Sequence, residues 1–267
     1  MRANSPALRS FTRSFAIQRR TLHALMMREI VTRYGRDNLG VLWLVAEPMV
    51  FTLGVTALWT AVGANHRSSM PIVAFAITGY SSVLLWRNCG ARCLMAIDVN
   101  LPLLFHRNVK AIDVFVARIL LEIAGATGSF AILAMFFTSF GLMAEPVDML
   151  QVIFGWIMLA WFGSALALVV GAATSYSDVV EKLWGPFTYL LFPLAGAAFM
   201  VDWLPPSFQK VVLLLPMVHG LEILRGGYFG NAVTTHFNAA YMAVCSLVLS
   251  FMGLIMVRHA GQRAQEK

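Results

Sequence analysis

Six stretches of this chain are apolar over roughly the length needed to cross a membrane, and nothing else in it limits the fold as much. They run over 41–62, 71–87, 112–140, 149–173, 184–201 and 237–257. A helix rises about 1.5 Å per residue, so roughly 20 apolar residues cover the ~30 Å hydrocarbon layer of a bilayer. Composition agrees: 59% of the 267 residues are hydrophobic and 12% charged, where a soluble domain is near one half and one quarter. The expected fold is all-α, a polytopic membrane protein with six transmembrane helices. The residues ahead of the first run are too many and too basic for a secretory signal peptide, so that run is expected to stay as an anchor.

A further apolar piece, Leu204 to Gly230, is interrupted by DWLPPSFQK (202–210) and LRGG (224–227). Paired prolines and glycines suit re-entrant half-helices before the last span better than a seventh crossing. With the N-terminus inside, sixteen Lys and Arg fall on the cytoplasmic side. Three (Arg67, Lys210 and Arg225) fall on the other, and Arg118 lies within the third run. The positive-inside rule then puts both termini in the cytoplasm. It also accounts for the net charge of +7 without a nucleic-acid partner. The chain reads as a single domain: 1–40 an N-terminal cytoplasmic segment with an interfacial helix, 41–257 the six-span region, 258–267 a cytoplasmic tail.

In the N-terminal segment, Leu22, Met26, Met27, Ile30 and Tyr34 share an arc of about 140° at helical spacing, while Arg28 and Thr32 point away. This predicts a helix lying in the interface. Leu25 and Arg33 sit on the wrong sides of the arc. Glu29 and Arg33 are an i,i+4 pair in the favourable order. The stretch REIVTRYGRDNLGVLWLVAEP (28–48) then runs from basic and aromatic into the first span. Arg28, Arg33 and Arg36 can draw a phosphate to the membrane surface. Tyr34 and Trp43 offer faces for sugar rings or headgroups, and Glu47 sits about two turns inside the span beside Pro48. A positive-inside anchor with an aromatic belt explains the same residues equally well.

Chemistry is conspicuous by absence. There is no Gly-Lys dipeptide, hence no phosphate loop of the G-x-x-x-x-G-K-[ST] kind, and energy from ATP must come through another subunit. Phe162-Gly163-Ser164-Ala165 has no histidine at matching depth, so Gly163, Ser164, Ala167 and Gly171 read as a helix-packing face. His219 and Glu222 are three apart, but two ligands make no metal site, and a hydrogen-bonded polar pair is expected. Cys89 and Cys93, with Cys245, form no disulfide framework. Arg118 and Glu122 are spaced for an i,i+4 ion pair or a relay inside the third span. No catalytic residue, metal or cofactor is expected in the chain.

The pattern R-x-x-x-x-R-Y-G-R…L-G-x-L-W…E-P over 28–48 resembles the N-terminal signature of ABC-2 type export permeases. Within them it looks most like the permeases of group 2 capsular polysaccharide exporters, the KpsM type. NLPLLFHRNVKAIDVFVARILLE (100–122) resembles that family's cytoplasmic coupling segment, and LLLPMVHGLEILRGGYFG (213–230) its periplasmic re-entrant segment.

The resemblance implies a half-transporter of the bacterial inner membrane. Two copies would form the pore, driven by two copies of an ABC ATPase that binds the ATP and Mg. The cargo would be a lipid-linked acidic polysaccharide moved from cytoplasm to periplasm. A periplasmic polysaccharide co-polymerase and an outer-membrane export protein would take it onward. Residues 22–36 would form a gate helix, with Arg28, Arg33, Tyr34, Arg36, Trp43 and Glu47 meeting the cargo. Asp98, Asn100, Leu101, Phe105 and Arg107 would meet the ATPase. Pro216, His219, Glu222 and Arg225 would shape the periplasmic re-entrant segment, the two charges either pairing at i,i+3 or facing a partner. Two alternatives stay open: an ABC-2 permease for another cargo such as O-antigen, teichoic acid or a small lipophile, and a membrane enzyme acting on lipid-linked sugars.

Overall fold

The computed structural model describes residues 6–35, 40–61, 70–105 and 109–266, with backbone alone for 6–13, 34, 40, 41, 265 and 266. Every regular element among them is helical. Helix α1 (Pro6–Tyr34) stops at Gly35, whose φ of +82° only glycine adopts without strain and whose N–H closes the last turn on Val31 O at 3.0 Å. Then come α2 (Gly40–Ala61), α3 (Ile72–Cys93), two single-turn helices α4 (Ala96–Val99) and α5 (Leu101–Leu104), and α6 (Ala111–Ser139). Helix α7 (Met149–Thr174) is N-capped by Asp148, whose carboxylate accepts from Gln151 N–H at 3.0 Å. The chain ends through α8 (Asp178–Leu194), α9 (Pro206–Val212), α10 (Pro216–Phe229) and α11 (Ala239–Glu266).

Four helices among the described residues are long and apolar enough to cross a membrane: Leu42–Ala61, Ala111–Ser139, Met149–Thr174 and Ala239–Ala264. The bent pair Pro206–Val212 and Pro216–Ala232, turned by 108° at its break, makes a fifth if the two halves form one span. The expected runs at 71–87 and 184–201 correspond to α3 and α8, which fall short of that measure for two different reasons. Helix α3 is the centre of the bundle, with 16 of its 22 residues buried against α2, α6, α7 and α10. A helix facing protein on all sides can carry polar residues, provided they are satisfied. Thr78 and Ser82 are, through hydroxyls bonded one turn back to Ala74 O (2.8 Å) and Thr78 O (2.7 Å). Helix α8 has only 17 residues and opens on Asp178, Glu181 and Lys182, so its apolar part is short.

The bundle packs closely through glycines. A Cβ on Gly163 would stand 2.7 Å from Trp86 Cα, and one on Gly155 2.7 Å from the Leu224 nitrogen. Ala167 is fully buried, and the Ser164 hydroxyl turns back to Ala160 O at 2.6 Å. Without a hydrophobic drive between helices in lipid, such approach is what holds them together. Cys89 and Cys93 are buried free thiols in the α3 core.

Candidate functional site

Three polar constructions stand out in this apolar bundle. The first joins α1 to the ends of α2, α3 and α6. Arg33 binds Glu29 one turn earlier (3.0 Å) and Glu122 of α6. Glu122 is also 3.4 Å from Arg92 Nε at the end of α3, and Arg92 pairs with Glu47 of α2. Arg118 of α6 reaches Glu29 (3.1 Å) and donates to Arg92 O (2.9 Å), closing the orphan end of α3. Three carboxylates thus meet three guanidiniums, and the charges balance. Arg118 and Glu122, expected to pair with each other, each bind other helices instead. Their spacing allows the i,i+4 contact, but the charges on α1 and α3 are nearer their tips.

The packed face of α1 is accordingly turned by roughly a quarter turn from the apolar arc read in the sequence. Leu25 is the buried residue at 9% exposure, while Met27 and Val31 are exposed. Leu25, Glu29 and Arg33 lie on the stripe that meets α6. The side that the apolar arc placed outside is the inner one, because the neighbour is a charged cleft and not lipid. Further along, Gln18 donates to Asp113, which also caps Lys110 N–H at 2.8 Å.

The second construction is the turn between α3 and α6. Met95 adopts a left-handed conformation (φ 51°) that breaks the helical path after Cys93, and its N–H is held by Thr174 Oγ1 at 3.0 Å. The two one-turn helices that follow carry an outer edge of Asp98, Val99, Pro102 and Phe105, the last 62% exposed. Leu101 is half-buried. Asn100 is buried at 2%, accepting from Arg28 Nη1 and donating to Ala96 O at 2.9 Å. It therefore ties α1 to this turn and offers nothing outward. Val99 and Pro102 belong to the exposed edge and were not expected there. Alternation across single-turn helices is too short to read from sequence.

The third lies at the break between α9 and α10. Ending α9 at Val212 and starting α10 with Pro216 leaves carbonyls without a following amide. His219 Nε2 donates to Leu213 O (2.9 Å) while its Nδ1 accepts from Asn238 N–H (3.1 Å), which assigns the ring proton to Nε2. The Tyr241 hydroxyl donates to Leu214 O at 2.9 Å. Glu222 accepts from the amides of Val201 (3.2 Å) and His236 (2.9 Å). Arg225, with 0% exposure, donates to Gly196 O (2.7 Å), Phe199 O (2.7 Å), Ala197 O (2.8 Å) and Phe75 O (3.4 Å), its guanidinium 3.8 Å above the Phe75 ring. Glu222 and Arg225 form no ion pair with each other: each holds backbone. The same geometry leaves His219 and Glu222 with no shared ligand position, both ring nitrogens and both carboxylate oxygens being engaged.

Among the residues expected to meet cargo, Arg28 is exposed apart from its Asn100 bond, Arg33 is enclosed by carboxylates, and Glu47 is half-buried beside Arg92. Trp43 is 55% exposed on an outer stripe of α2 with Val50, Phe51 and Leu58. Arg36, Arg107 and the side chain of Tyr34 lie outside the described residues. From Phe51 of that stripe inward, Phe51, Trp59, Phe75, Tyr80 and Phe192 form one aromatic cluster with ring centroids 5.6 to 6.4 Å apart. Arg92 is the functional candidate that sequence reasoning missed, having counted only as one more cytoplasmic cation. The sequence carried no signal for it, because Arg92 lies beyond the expected run 71–87 whereas Glu47 and Glu122 lie inside theirs.

Comparison with known proteins supplies the context for these three constructions. Residues 20–229 match the family described as ABC-2 type transporter. The chain is 44% identical to the capsule polysaccharide export inner-membrane protein CtrC of Neisseria meningitidis serogroup B, over 93% of this chain and 94% of that one. It is 40% identical to the capsule polysaccharide export inner-membrane protein BexB of Haemophilus influenzae, over 94% of each. It is 25% identical to the polysialic acid transport protein KpsM of Escherichia coli, over 91% of this chain and 95% of that one.

Proposed function

The chain belongs to the ABC-2 type transporter family, and on that footing we propose that it is the membrane subunit of an exporter for lipid-linked acidic capsular polysaccharide. The single observation that carries the cargo class is the end-to-end likeness to two capsule export proteins at 40% identity or more. Membership implies an ATPase partner, which suits a chain without a phosphate loop. The full assembly would hold two copies of each, with ATP and Mg on the ATPase. A periplasmic co-polymerase and an outer-membrane export protein would receive the cargo.

In this reading α2, α3, α6, α7, α8 and α11 cross the inner membrane, and α9 and α10 enter and leave at the periplasmic face. Six crossings return the C-terminus to the side of the N-terminus, the cytoplasmic one by the charge bias of the loops. The turn α4–α5 then faces the cytoplasm and gives the ATPase a ledge of Asp98, Val99, Pro102 and Phe105. Asn100 and Arg28 connect that ledge to α1, and the Glu29–Arg33–Glu122–Arg92–Glu47 chain connects α1 to three spans. Movement of the ledge is thereby passed to the cytoplasmic mouth. Arg28, exposed beside its Asn100 bond, and on the sequence alone Arg36, are the cations offered to the phosphate of the cargo, each contributing about 1 kcal/mol near the surface. The exposed rings of α2 and α8, Trp43, Phe51, Phe187 and Tyr189, give sugar rings a face to stack on between two copies.

Phe105→Glu tests the ledge. The side chain is exposed, so the subunit is expected to accumulate and purify normally. Losing an aromatic anchor at an interface centre costs on the order of 2 kcal/mol or more, so cargo-stimulated ATP hydrolysis in the complex is expected to fall at least roughly tenfold. Wild-type stimulation would remove the ledge from the coupling path.

A further inference from the structure

A cavity of about 890 Å³ opens between α6 and α7 at the end of the bundle away from the α4–α5 turn. Its floor is Phe130 stacked on Trp156, ring centroids 4.8 Å apart, with the Trp156 indole N–H donating to Thr127 Oγ1 at 2.9 Å. The Trp156 N–H is thereby satisfied, and the floor presents ring faces beside the Thr127 hydroxyl. The walls are Ala131, Ala134, Met135, Val152 and Ile153. The rim is polar, with Ser139 and Glu145. The Ser139 hydroxyl bonds back to Met135 O at 2.8 Å. Glu145 is exposed and forms no ion pair among the described residues.

Three features identify an occupant. The first is depth: Thr127 to Ser139 is twelve residues, about 18 Å of helix, close to the ~15 Å that one leaflet of a ~30 Å hydrocarbon layer occupies. The second is polarity: below the rim the lining is apolar apart from Thr127, and the charge sits at the rim, which follows the profile of a lipid leaflet. The third is charge. The segment Phe140–Asp148 carries Glu145 and Asp148 and no Lys or Arg, so the rim attracts a cation and repels an anion. The rim is also built: Tyr228 of α10 donates its hydroxyl to Ala144 O, and the amides of Val147 and Asp148 donate to Tyr228 O (3.2 Å) and Gly227 O (2.8 Å). The lip over the cavity is therefore fastened to α10, and the Tyr228 ring itself lines the cavity.

We propose that this cavity binds one phospholipid with a primary-amine headgroup, its acyl chains lying between α6 and α7 and its ammonium on Glu145. The site is distinct from the cargo path on α2 and α8. Because the lip is bonded to Gly227 and Tyr228, an occupied cavity braces the end of α10 whose other end forms the break. The inference rests on α6 and α7 crossing the membrane and not on the identity of the cargo.

The test uses the purified permease–ATPase complex, stripped of lipid in detergent and then given equal amounts of phosphatidylethanolamine and phosphatidylglycerol, with bound lipid counted by native mass spectrometry. An ion pair at an exposed carboxylate contributes up to about 1 kcal/mol, so the wild type is expected to retain one phosphatidylethanolamine per chain with about a fivefold preference. Glu145→Gln, on an exposed loop, is expected to reduce the preference to within about twofold. Ala134→Phe, which fills the cavity, is expected to reduce retention of both lipids. Equal retention of the two lipids by the wild type would overturn the proposal, as would an unchanged preference in Glu145→Gln. A cysteine placed at Ile153 that cross-links to a second copy of the chain would also overturn it, by putting protein in the cavity. No cargo is needed, so failure here leaves the export reading standing.

Discussion

Arg225→Ala is expected to remove the protein from the membrane. The guanidinium serves four backbone carbonyls, three of them in the turn after α8 and one in α3, and Arg225 itself has 0% exposure. Gly196 O and Phe75 O keep other donors, the Phe199 N–H at 3.4 Å and the Thr78 hydroxyl at 3.1 Å, but Ala197 O and Phe199 O lose the arginine at about 1–3 kcal/mol each, and a fully buried side chain is emptied besides. Against a total stability of about 5–15 kcal/mol for a typical domain, the loss is a large part of the margin. Arg225→Lys keeps the charge but offers three donors from a single point, without the planar fork that reaches two sides, and is expected to be intermediate. Lys210→Ala, on the exposed side of α9, is the control and is expected to be neutral. Membrane abundance and monodispersity after extraction are the readout. Because Glu222 binds amides and not Arg225, reversing both charges together is expected to rescue nothing. A variant Arg225→Ala that accumulates normally but fails to export would contradict this account and place the residue on the cargo path.

Glu122→Gln should free α1. Glu122 is shared by Arg33 and Arg92, so the substitution takes one of two carboxylates from each and turns a balanced cluster into one with a positive excess. Arg33 keeps Glu29 and Arg92 keeps Glu47, so the cost is that of a lost charged hydrogen bond, about 1.5–3 kcal/mol. Here the consequence is local, because α1 is bound to the bundle largely through these groups and the Gln18 and Arg28 hydrogen bonds. Trypsin cleavage at Arg19 and Arg20 is expected to accelerate by roughly tenfold or more, while the membrane helices stay intact. Arg33→Ala is expected to do the same, and the double variant little more than either, since both remove one interaction. The experiment also decides between two uses of Arg33. If Arg33 captured phosphate, releasing it from Glu122 would strengthen cargo binding. If it holds α1, export falls.

The long helices were legible because hydropathy is a property of one segment. The runs at 41–62, 112–140 and 149–173 became Gly40–Ala61, Ala111–Ser139 and Met149–Thr174, and the prolines at 205, 206 and 216 announced the bend. What could not be read depends on neighbours. Spacing within one helix offered Arg118–Glu122 and Glu222–Arg225 as pairs, yet all four side chains answer groups brought from other elements. The face of α1 was misplaced for the same reason: an apolar arc predicts what meets lipid, not what meets a cleft of three carboxylates and three arginines. Asn100 looked like a contact residue because it sits among exposed ones. Only the fold shows that its side chain turns inward to Arg28.

The most direct measurement is transport itself. The chain is reconstituted with its ATPase in vesicles, lipid-linked acidic polysaccharide is supplied on the ATPase side, and its arrival in the lumen is followed by protection from an added glycanase. The account predicts arrival that requires ATP hydrolysis, fails without this chain and fails with Phe105→Glu. Polysaccharide that stays outside despite a turning-over complex, or a chain that alters lipid-linked sugar by itself without the ATPase, would contradict it.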